Sequence, residues 1–331
     1  MRKLVTVQKI LEVKEIPGAD KITEARVMGW RVVIKKGEFV AGNWCLFFEV
    51  DSILPEAPWS QFMRPRKFRV KTAKLRGVLS QGLALPLSIL TEEQKKKIEL
   101  VEGFDATSIL GVSQYEPPIL DLIGGHVEHE GPFPSHVPKT DEERIQSQLE
   151  WLMTLHGRPY TITVKVDGSS MTVCYDDDDR FLVCSRNFSI KHTPDQLSKH
   201  WILIDKYQLR DKLKGTGIAI QGELVGPGIQ KNRLRLTEPE CLVFNVFDWK
   251  NRRHFSLSEA EAFCKSLGLR TVPIEEAGEN FSYDLNQLLE KAKGVYHGTQ
   301  NLREGIVVRS VDKPRVSFKV LNNDFLLKEE E

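Results

Sequence analysis

Lys165-Val166-Asp167-Gly168 follows an alternating run, YTITVKV, that reads as a strand. Alternation puts Lys165 and Asp167 on one face, and Gly168 permits a sharp turn after them. A lysine is ordinarily a solvated cation with a pKa of about 10.4. To act as a nucleophile it must lose a proton, which burial and neighbouring cations favour. One Lys-x-Asp-Gly on its own is structural more often than catalytic. The ordered set downstream strengthens it: Arg186 in Ser-Arg-Asn, Glu223 in Gln-Gly-Glu-Leu, Phe247-Asp248 at the end of VFNVFD, Glu304 and Arg309 in EGIVVR, and Lys319 in Ser-Phe-Lys. Asp167, Glu223 and Glu304 offer oxygen ligands to a divalent metal. Arg309 and Lys319 offer charge to a phosphoryl transition state. Phe247 offers either a stacking face for a base or a core side chain.

The elements that must position these residues are mixed. Strands are expected at 217–225, 241–249, 304–309 and 315–320, with helices near 194–213, 257–266 and 284–293. TDEERIQSQLEWLMTL reads as a helix capped by Thr140, with Glu143 completing a capping box. MTVCYDDDDRFLVCSR reads as a hairpin with a solvated Asp-rich tip; it lacks the ligand spacing of an EF-hand loop. In VFNVFDW, Phe247 shares a face with Asn245 and Trp249. Asp248 shares one with Phe244 and Val246, so one face buries an acid that needs a partner. This is α+β with antiparallel sheets. The first hundred residues differ: short β-rich runs, broken by Pro17-Gly18-Ala19-Asp20 and Gly37, suggest a small barrel or sandwich. Residues 91–102 read as a short exposed helix or loop. The proline- and glycine-rich stretch 116–138 reads as a linker between domains at 1–115 and 139–331. His126 and His129 lie in it, a His-x-x-His spacing with no cysteine or helix to make a metal site.

Composition sets the bounds. The chain has 331 residues, 40% hydrophobic and 28% charged. That is ordinary for a folded protein of two domains, and excludes disordered and collagen-like chains. The net charge is only +1, but it is unevenly spread. Residues 1–115 hold 19 Lys/Arg against 13 Asp/Glu, and the remainder holds 28 against 33. No uncharged stretch reaches the ~18–20 residues of a membrane span. The start, MRKLVTVQKILEV, has no long apolar core or cleavage site. The five cysteines are scattered without a Cys-x-x-Cys pair. A cytoplasmic protein with reduced thiols and no membrane partner is expected. Nothing suggests a coiled coil, and a monomer is expected.

From about residue 140 to 325 the motif set resembles the covalent nucleotidyltransferases: DNA ligases, RNA ligases and mRNA capping enzymes. The resemblance implies an ATP-grasp-like domain of antiparallel sheets with flanking helices. It makes Lys165 the nucleophile, attacking the α-phosphate of a nucleoside triphosphate to give a lysyl phosphoramidate and pyrophosphate. It assigns Glu223 to ribose or metal-bound water, Phe247 to the base, Glu304 to the metal and Lys319 to the α-phosphate. Arg186 matches the superfamily's phosphate- or ribose-binding arginine. Many ligases carry Lys-x-Lys in the last motif, whereas Ser317 takes the first position here, so contact falls to Lys319, or Lys328 compensates.

Domain order narrows the family. IPGADKITEARVMGWRVVIKKGEFVAGNWCLFFEVDSILP resembles OB folds of the tRNA-binding type, and it comes before the nucleotidyltransferase motifs. DNA ligases and capping enzymes usually have the reverse order. The arrangement looks like the small RNA ligases known from Deinococcus and Naegleria. RNA ligases of that group carry an arginine ahead of the lysine at about the distance of Arg144. The resemblance implies ATP, Mg²⁺ or Mn²⁺, and an RNA partner whose 3′-OH/5′-phosphate breaks, chiefly duplex nicks, are sealed. Arg64, Arg66, Lys67, Arg69, Lys71, Lys74 and Arg76 form a run without an acid, with Phe68 interleaved. Such a run either grips phosphates without sequence preference or is a solvated loop. A capping guanylyltransferase would label with GTP, a DNA ligase would accept DNA strands, and a non-catalytic OB-fold RNA-binding protein would form no adduct.

Overall fold

The computed structural model describes residues 2–115, 128–193 and 198–330. It falls into two compact units. One comprises Met1–Pro118, Ile145–Leu149 and Leu326–Glu331; the other comprises Ile119–Arg144 and Glu150–Phe325.

In the first unit, Val5–Lys9, Trp44–Phe48 and Leu83–Leu85 form an antiparallel sheet, and Glu12–Glu15, Ile22–Val27 and Trp30–Lys35 form a second. Trp44–Phe48 reads as a continuous apolar run because both of its faces are covered. Cys45 and Phe47 pack with Trp30, Val32 and Ile34 on one side. Leu46 and Phe48 pack with Val5, Val7 and Leu54 on the other. The Pro17-Gly18 turn forms as expected, with Gly18 at φ 72°. So does a short helix, Glu92–Lys95, capped by Thr91.

The second unit is built on two sheets. Eight strands run from His129–Pro132 through Phe188–Ile190, Phe181–Cys184, Ser169–Tyr175, Ile218–Val225 and Glu240–Asp248 to Arg253–His254, with Arg270–Thr271 also pairing Glu240–Asp248. Helices Lys199–Tyr207 and Leu257–Leu267 contribute Trp201, Leu203, Cys264 and Leu267 to the core against this sheet. The second sheet orders Glu143–Arg144, Ser317–Leu321, Gly305–Ser310, Tyr160–Lys165 and Ile274–Gly278. All its pairings are antiparallel except that of Glu143–Arg144 with Ser317–Leu321.

Several expectations change here. The helix capped by Thr140 does not form. Glu143 and Arg144 are hydrogen-bonded as a strand beside Phe318 and Lys319. Ile145–Ser147 is a 3-10 turn whose Ser147 Oγ accepts from the Trp30 indole at 3.3 Å, and the helix spans only Glu150–Leu155. These tertiary pairings override the local capping signal. The helix expected at 194–213 is two helices, Lys199–Tyr207 and Leu209–Leu213, separated where Gln208 turns left-handed at φ 54°. Residues 116–127 of the expected linker, His126 included, lie outside the described residues. His129–Pro132, also placed in the linker, is instead an edge strand, and the His129 ring stacks on Phe188 at 4.5 Å. At the Asp-rich tip, Asp176 accepts from the backbone N–H groups of Asp178 and Arg180 and from the Arg180 side chain. All five cysteines are buried and outside disulfides. No helix among the described residues is long and apolar enough to cross a membrane.

Candidate active site

The five-stranded sheet gathers four of the expected residues, Arg144, Lys165, Arg309 and Lys319, by register alone. Lys165 lies opposite Gly305, Thr163 opposite Val307, and Thr161 opposite Arg309. Across the next ladder, Lys319 lies opposite Val307 and Ser317 opposite Arg309. Directly opposed residues share a face. Thr163, Lys165, Arg309, Ser317 and Lys319 therefore occupy one side of the sheet, with Arg144 beside Lys319. Ile162, Val308, Phe318 and Val320 fill the other, buried side.

A pocket opens on this face, lined by Thr140, Glu142, Thr163, Lys165, Glu223, Phe244, Val307 and Arg309, among others. Glu223 comes from the larger sheet, opposite Ser170. The Lys165 ammonium donates to Glu304 Oε2 at 2.7 Å. Burial alone would lower its pKa, but Glu304, then Glu223 and Asp167, outweigh burial and hold it above the usual range. The charges around this amine are carboxylates, and they retain its proton. Those carboxylates are crowded. Burial, with Glu304 and Asp167 adding to it, pushes Glu223 up to about 8. Burial and Glu304 push Asp167 up to about 6 against the opposing effect of Arg233.

Gly168 lies at the bend between Tyr160–Lys165 and Ser169–Tyr175, and it also permits a close approach. A Cβ there would stand 2.3 Å from the Leu224 carbonyl oxygen and 2.8 Å from Glu223 Cγ. Only glycine lets the Lys165–Gly168 segment lie against the strand that carries Glu223.

Phe247 is displaced from its expected role. It is 7% exposed and packs with Val137, Cys174 and Ala219, its ring 4.8 Å from His254. The aromatic that lines the pocket is Phe244. Gln221 pairs with Asn245, and Gly222 with Val243, so Phe244 is the extra residue of a bulge. A bulge re-aims its side chain, which strict alternation through VFNVFDW could not foresee. Asp248 spends its carboxylate on Asn251 at the following turn.

Three residues outside the expected set organise the pocket. Glu142 accepts from Arg309 at 3.1 Å and from the Ser317 hydroxyl at 2.7 Å, while Arg309 Nε donates to Ser317 Oγ at 3.2 Å. The serine at the usual lysine position thus closes a triangle with an arginine and a glutamate. Lys328 is on the terminal helix Asn323–Glu330. Arg233, 6% exposed, donates to Asp167 Oδ2 at 2.9 Å. Tyr296 hydrogen-bonds the backbone at Lys165, Asp167 and Glu304. No sequence signal marked Tyr296 or Arg233. Arg186 is exposed between two strands and pairs with Asp141, and its charge also reaches Glu223.

In the first unit, Arg66, Lys67, Arg69, Lys71 and Lys74 line one groove with Tyr115. Arg69 lies over the Tyr115 ring at 3.6 Å and pairs with Asp51 at 2.7 Å. Arg64 and Arg76 do not line it; Arg64 pairs with Glu56 and lies over Phe68.

A barrel-type first unit and a two-sheet second unit with a lysine among carboxylates define an OB-fold domain followed by a nucleotidyltransferase-like domain. An OB-fold domain profile matches residues 4–87, and the RNA ligase profile matches residues 158–321. Among solved structures, Naegleria gruberi RNA ligase with PPi is 33% identical, with a TM-score of 0.88, covering 100% of this chain and 99% of that chain. A variant of that ligase with ATP and Mn gives 33%, 0.88, 100% and 100%, and a variant with AMP and Mn gives 32%, 0.87, 100% and 99%. No curated protein sequence matches. The chain belongs to the RNA ligase family.

Proposed function

We propose that this enzyme is an ATP-dependent RNA ligase working through a lysyl-AMP on Lys165, with residues 139–331 as the adenylylation domain and residues 1–115 as an RNA-gripping OB domain. The observation that carries the reading is the Lys165 ammonium at the wall of a pocket, ringed by Asp167, Glu223 and Glu304. The similar Naegleria structures contain ATP or AMP with Mn.

Lys165 Nζ attacks the α-phosphorus of ATP; the bond to the bridging oxygen breaks and pyrophosphate leaves. The AMP then passes to an RNA 5′-phosphate, and a 3′-OH displaces AMP as the phosphodiester forms. An ammonium cannot attack, so the Lys165–Glu304 pair must open and the proton must leave; Glu304 is the acceptor at hand. Arg309, Lys319, Arg144 and Arg186 meet the phosphoryl charge, and Phe244 replaces Phe247 as the ring beside the base.

The donor set fits Mg²⁺ or Mn²⁺. Among the described residues no three His, Cys, Asp or Glu groups form a metal site by themselves. Yet Glu304 adds to the raised proton affinity of Asp167, and Glu304 and Asp167 add to that of Glu223, a crowding that a cation relieves. A cation held by one or two carboxylates takes its remaining ligands from phosphate and water. When bound, it supplies positive charge to the phosphoryl group.

Five exposed or half-exposed cations in one groove fit a nucleic-acid backbone, and duplex nicks are the substrate proposed. The five disulfide-free cysteines favour a reducing compartment, and we place the protein in the cytoplasm as a monomer. Incubation with ATP labelled at its α-phosphate should leave label on the protein, and Lys165→Ala should abolish it. A label that survives Lys165→Ala would overturn the reading.

A further inference from the structure

We infer that Tyr296 is a positioning residue for nucleotidyl transfer, fixing the backbone of Lys165, Asp167 and Glu304 through one buried hydroxyl. The inference rests on the ligase reading above. The Tyr296 side chain is 4% exposed. Its oxygen accepts from the Asp167 N–H at 2.9 Å and the Glu304 N–H at 3.1 Å, and it donates to the Lys165 carbonyl at 3.2 Å.

Lys165 and Glu304 lie at the ends of neighbouring strands, just where the ladder stops. Lys165 pairs with Gly305, and beyond that point no strand hydrogen bond sets the distance between the two segments. Tyr296 makes the bonds that the ladder no longer provides. Two N–H donors are satisfied by one acceptor, and neither could be replaced by water in a dry site without loosening the chain.

The loop that delivers Tyr296 is itself braced. Its backbone is bridged from Tyr296 N–H to the Asn301 carbonyl at 3.0 Å and from Arg303 N–H to the Gly294 carbonyl at 3.0 Å. Arg303 is 7% exposed, and its guanidinium donates to the carbonyls of Lys291, Ala292 and Lys293. The Asn301 side chain donates to the Arg233 carbonyl at 2.6 Å, and Arg233 in turn holds Asp167. One loop therefore reaches the backbone of the nucleophile and of both flanking carboxylates. A misplacement on the order of 1 Å at reacting atoms costs about 100-fold in rate, so a residue that only sets backbone position can govern the reaction.

The test is single-turnover adenylylation of Tyr296→Phe at several ATP concentrations, beside the unaltered protein and at a temperature where melting curves show the variant folded. The expected result is a rate constant lower by about 10- to 100-fold, with the half-saturating ATP concentration within about threefold. A rate within about threefold of the unaltered protein overturns the inference, as does a loss explained wholly by the unfolded fraction. Should Tyr296→Phe fail to fold, Asn301→Ala removes one brace and leaves the hydroxyl. It should lower the rate constant while sparing ATP saturation, and an unchanged rate there likewise overturns the inference. An unaltered protein that forms no adduct overturns the ligase reading itself, and this inference with it.

Discussion

Lys165 and Arg66 carry the same charge in opposite surroundings. Lys165 is held at 2.7 Å from Glu304, on a sheet face where register, a glycine contact and the Tyr296 hydroxyl fix its place. Arg66, Lys67 and Lys74 are exposed on the wall of a groove. In the first setting water is scarce, so each charge is strongly coupled to its neighbours. In the second, salt screens each charge over about 10 Å, and only the sum matters. The pocket should therefore fail when any one member is altered, whereas the groove should fail gradually.

The largest expected effect is in the pocket. Glu223→Gln keeps the shape and removes a charge, and RNA sealing should fall by at least about 100-fold. The same change should make the nucleotide-free protein more stable. A carboxyl raised to about 8 in the folded state binds its proton more tightly folded than unfolded. Its contribution is favourable at low pH and is lost as pH rises through 8. At pH 8.5 the glutamine variant should melt higher than the unaltered protein, and the gap should shrink toward pH 5. A variant that is both active and no more stable would show that Glu223 is neither crowded nor used.

Arg233→Ala comes next. It leaves Asp167 buried without its 2.9 Å partner, which is costlier than never having the pair. Adenylylation should fall about 10- to 100-fold and the melting temperature should fall as well. Arg233→Lys should recover part of both.

The groove should respond more gently. Arg69 is tied to Asp51 and Tyr115, so removing it mixes folding with binding. Replacing Arg66, Lys67 and Lys74 with Ala tests the exposed charge alone. Sealing of nicked RNA should drop about tenfold at moderate salt, and the slope of log affinity against log salt should flatten by about two to three. Lysine adenylylation should stay unchanged. Equal loss of both activities would show that these residues serve the nucleotide pocket.

The same contrast explains what could be read from sequence. Lys165, Glu223, Arg309 and Lys319 are placed by strand register, and alternation in sequence carries register; Asp167 and Glu304 lie just beyond strand ends. A small barrel or sandwich was legible from short apolar runs and turn residues, and the resemblance of residues 16–55 to tRNA-binding OB folds made the reading specific. Phe244 was hidden because a bulge between Gln221 and Gly222 breaks the alternation that pointed to Phe247. Tyr296 and Arg233 act through long-range hydrogen bonds from loops, which leave no local pattern. The Thr140 helix failed because its capping box, a local signal, competed with a strand pairing 175 residues away. The groove was visible as charge density, but a seven-residue run in sequence became five lining residues once Arg64 turned to Glu56.

The smallest expected effect probes how far the pocket's charge reaches. His254 lies beside Phe247, on the strand that pairs with Phe247 and Asp248. Burial, then the charges of Arg315 and Arg309, lower its pKa to about 4. A histidine depressed in the folded state contributes stability that is present above its unfolded pKa, near 6.5, and is lost as pH falls toward 4. The unaltered protein should therefore lose melting temperature between pH 6.5 and 4.5 more steeply than His254→Gln, which cannot take up a proton there. Because Arg309 is one source of that depression, a nucleotide bound against Arg309 should offset its charge, raise the His254 pKa and make the acid side of the curve shallower. Melting curves with and without ATP across that pH range would show it, and parallel curves would mean that the pocket's field does not extend to His254.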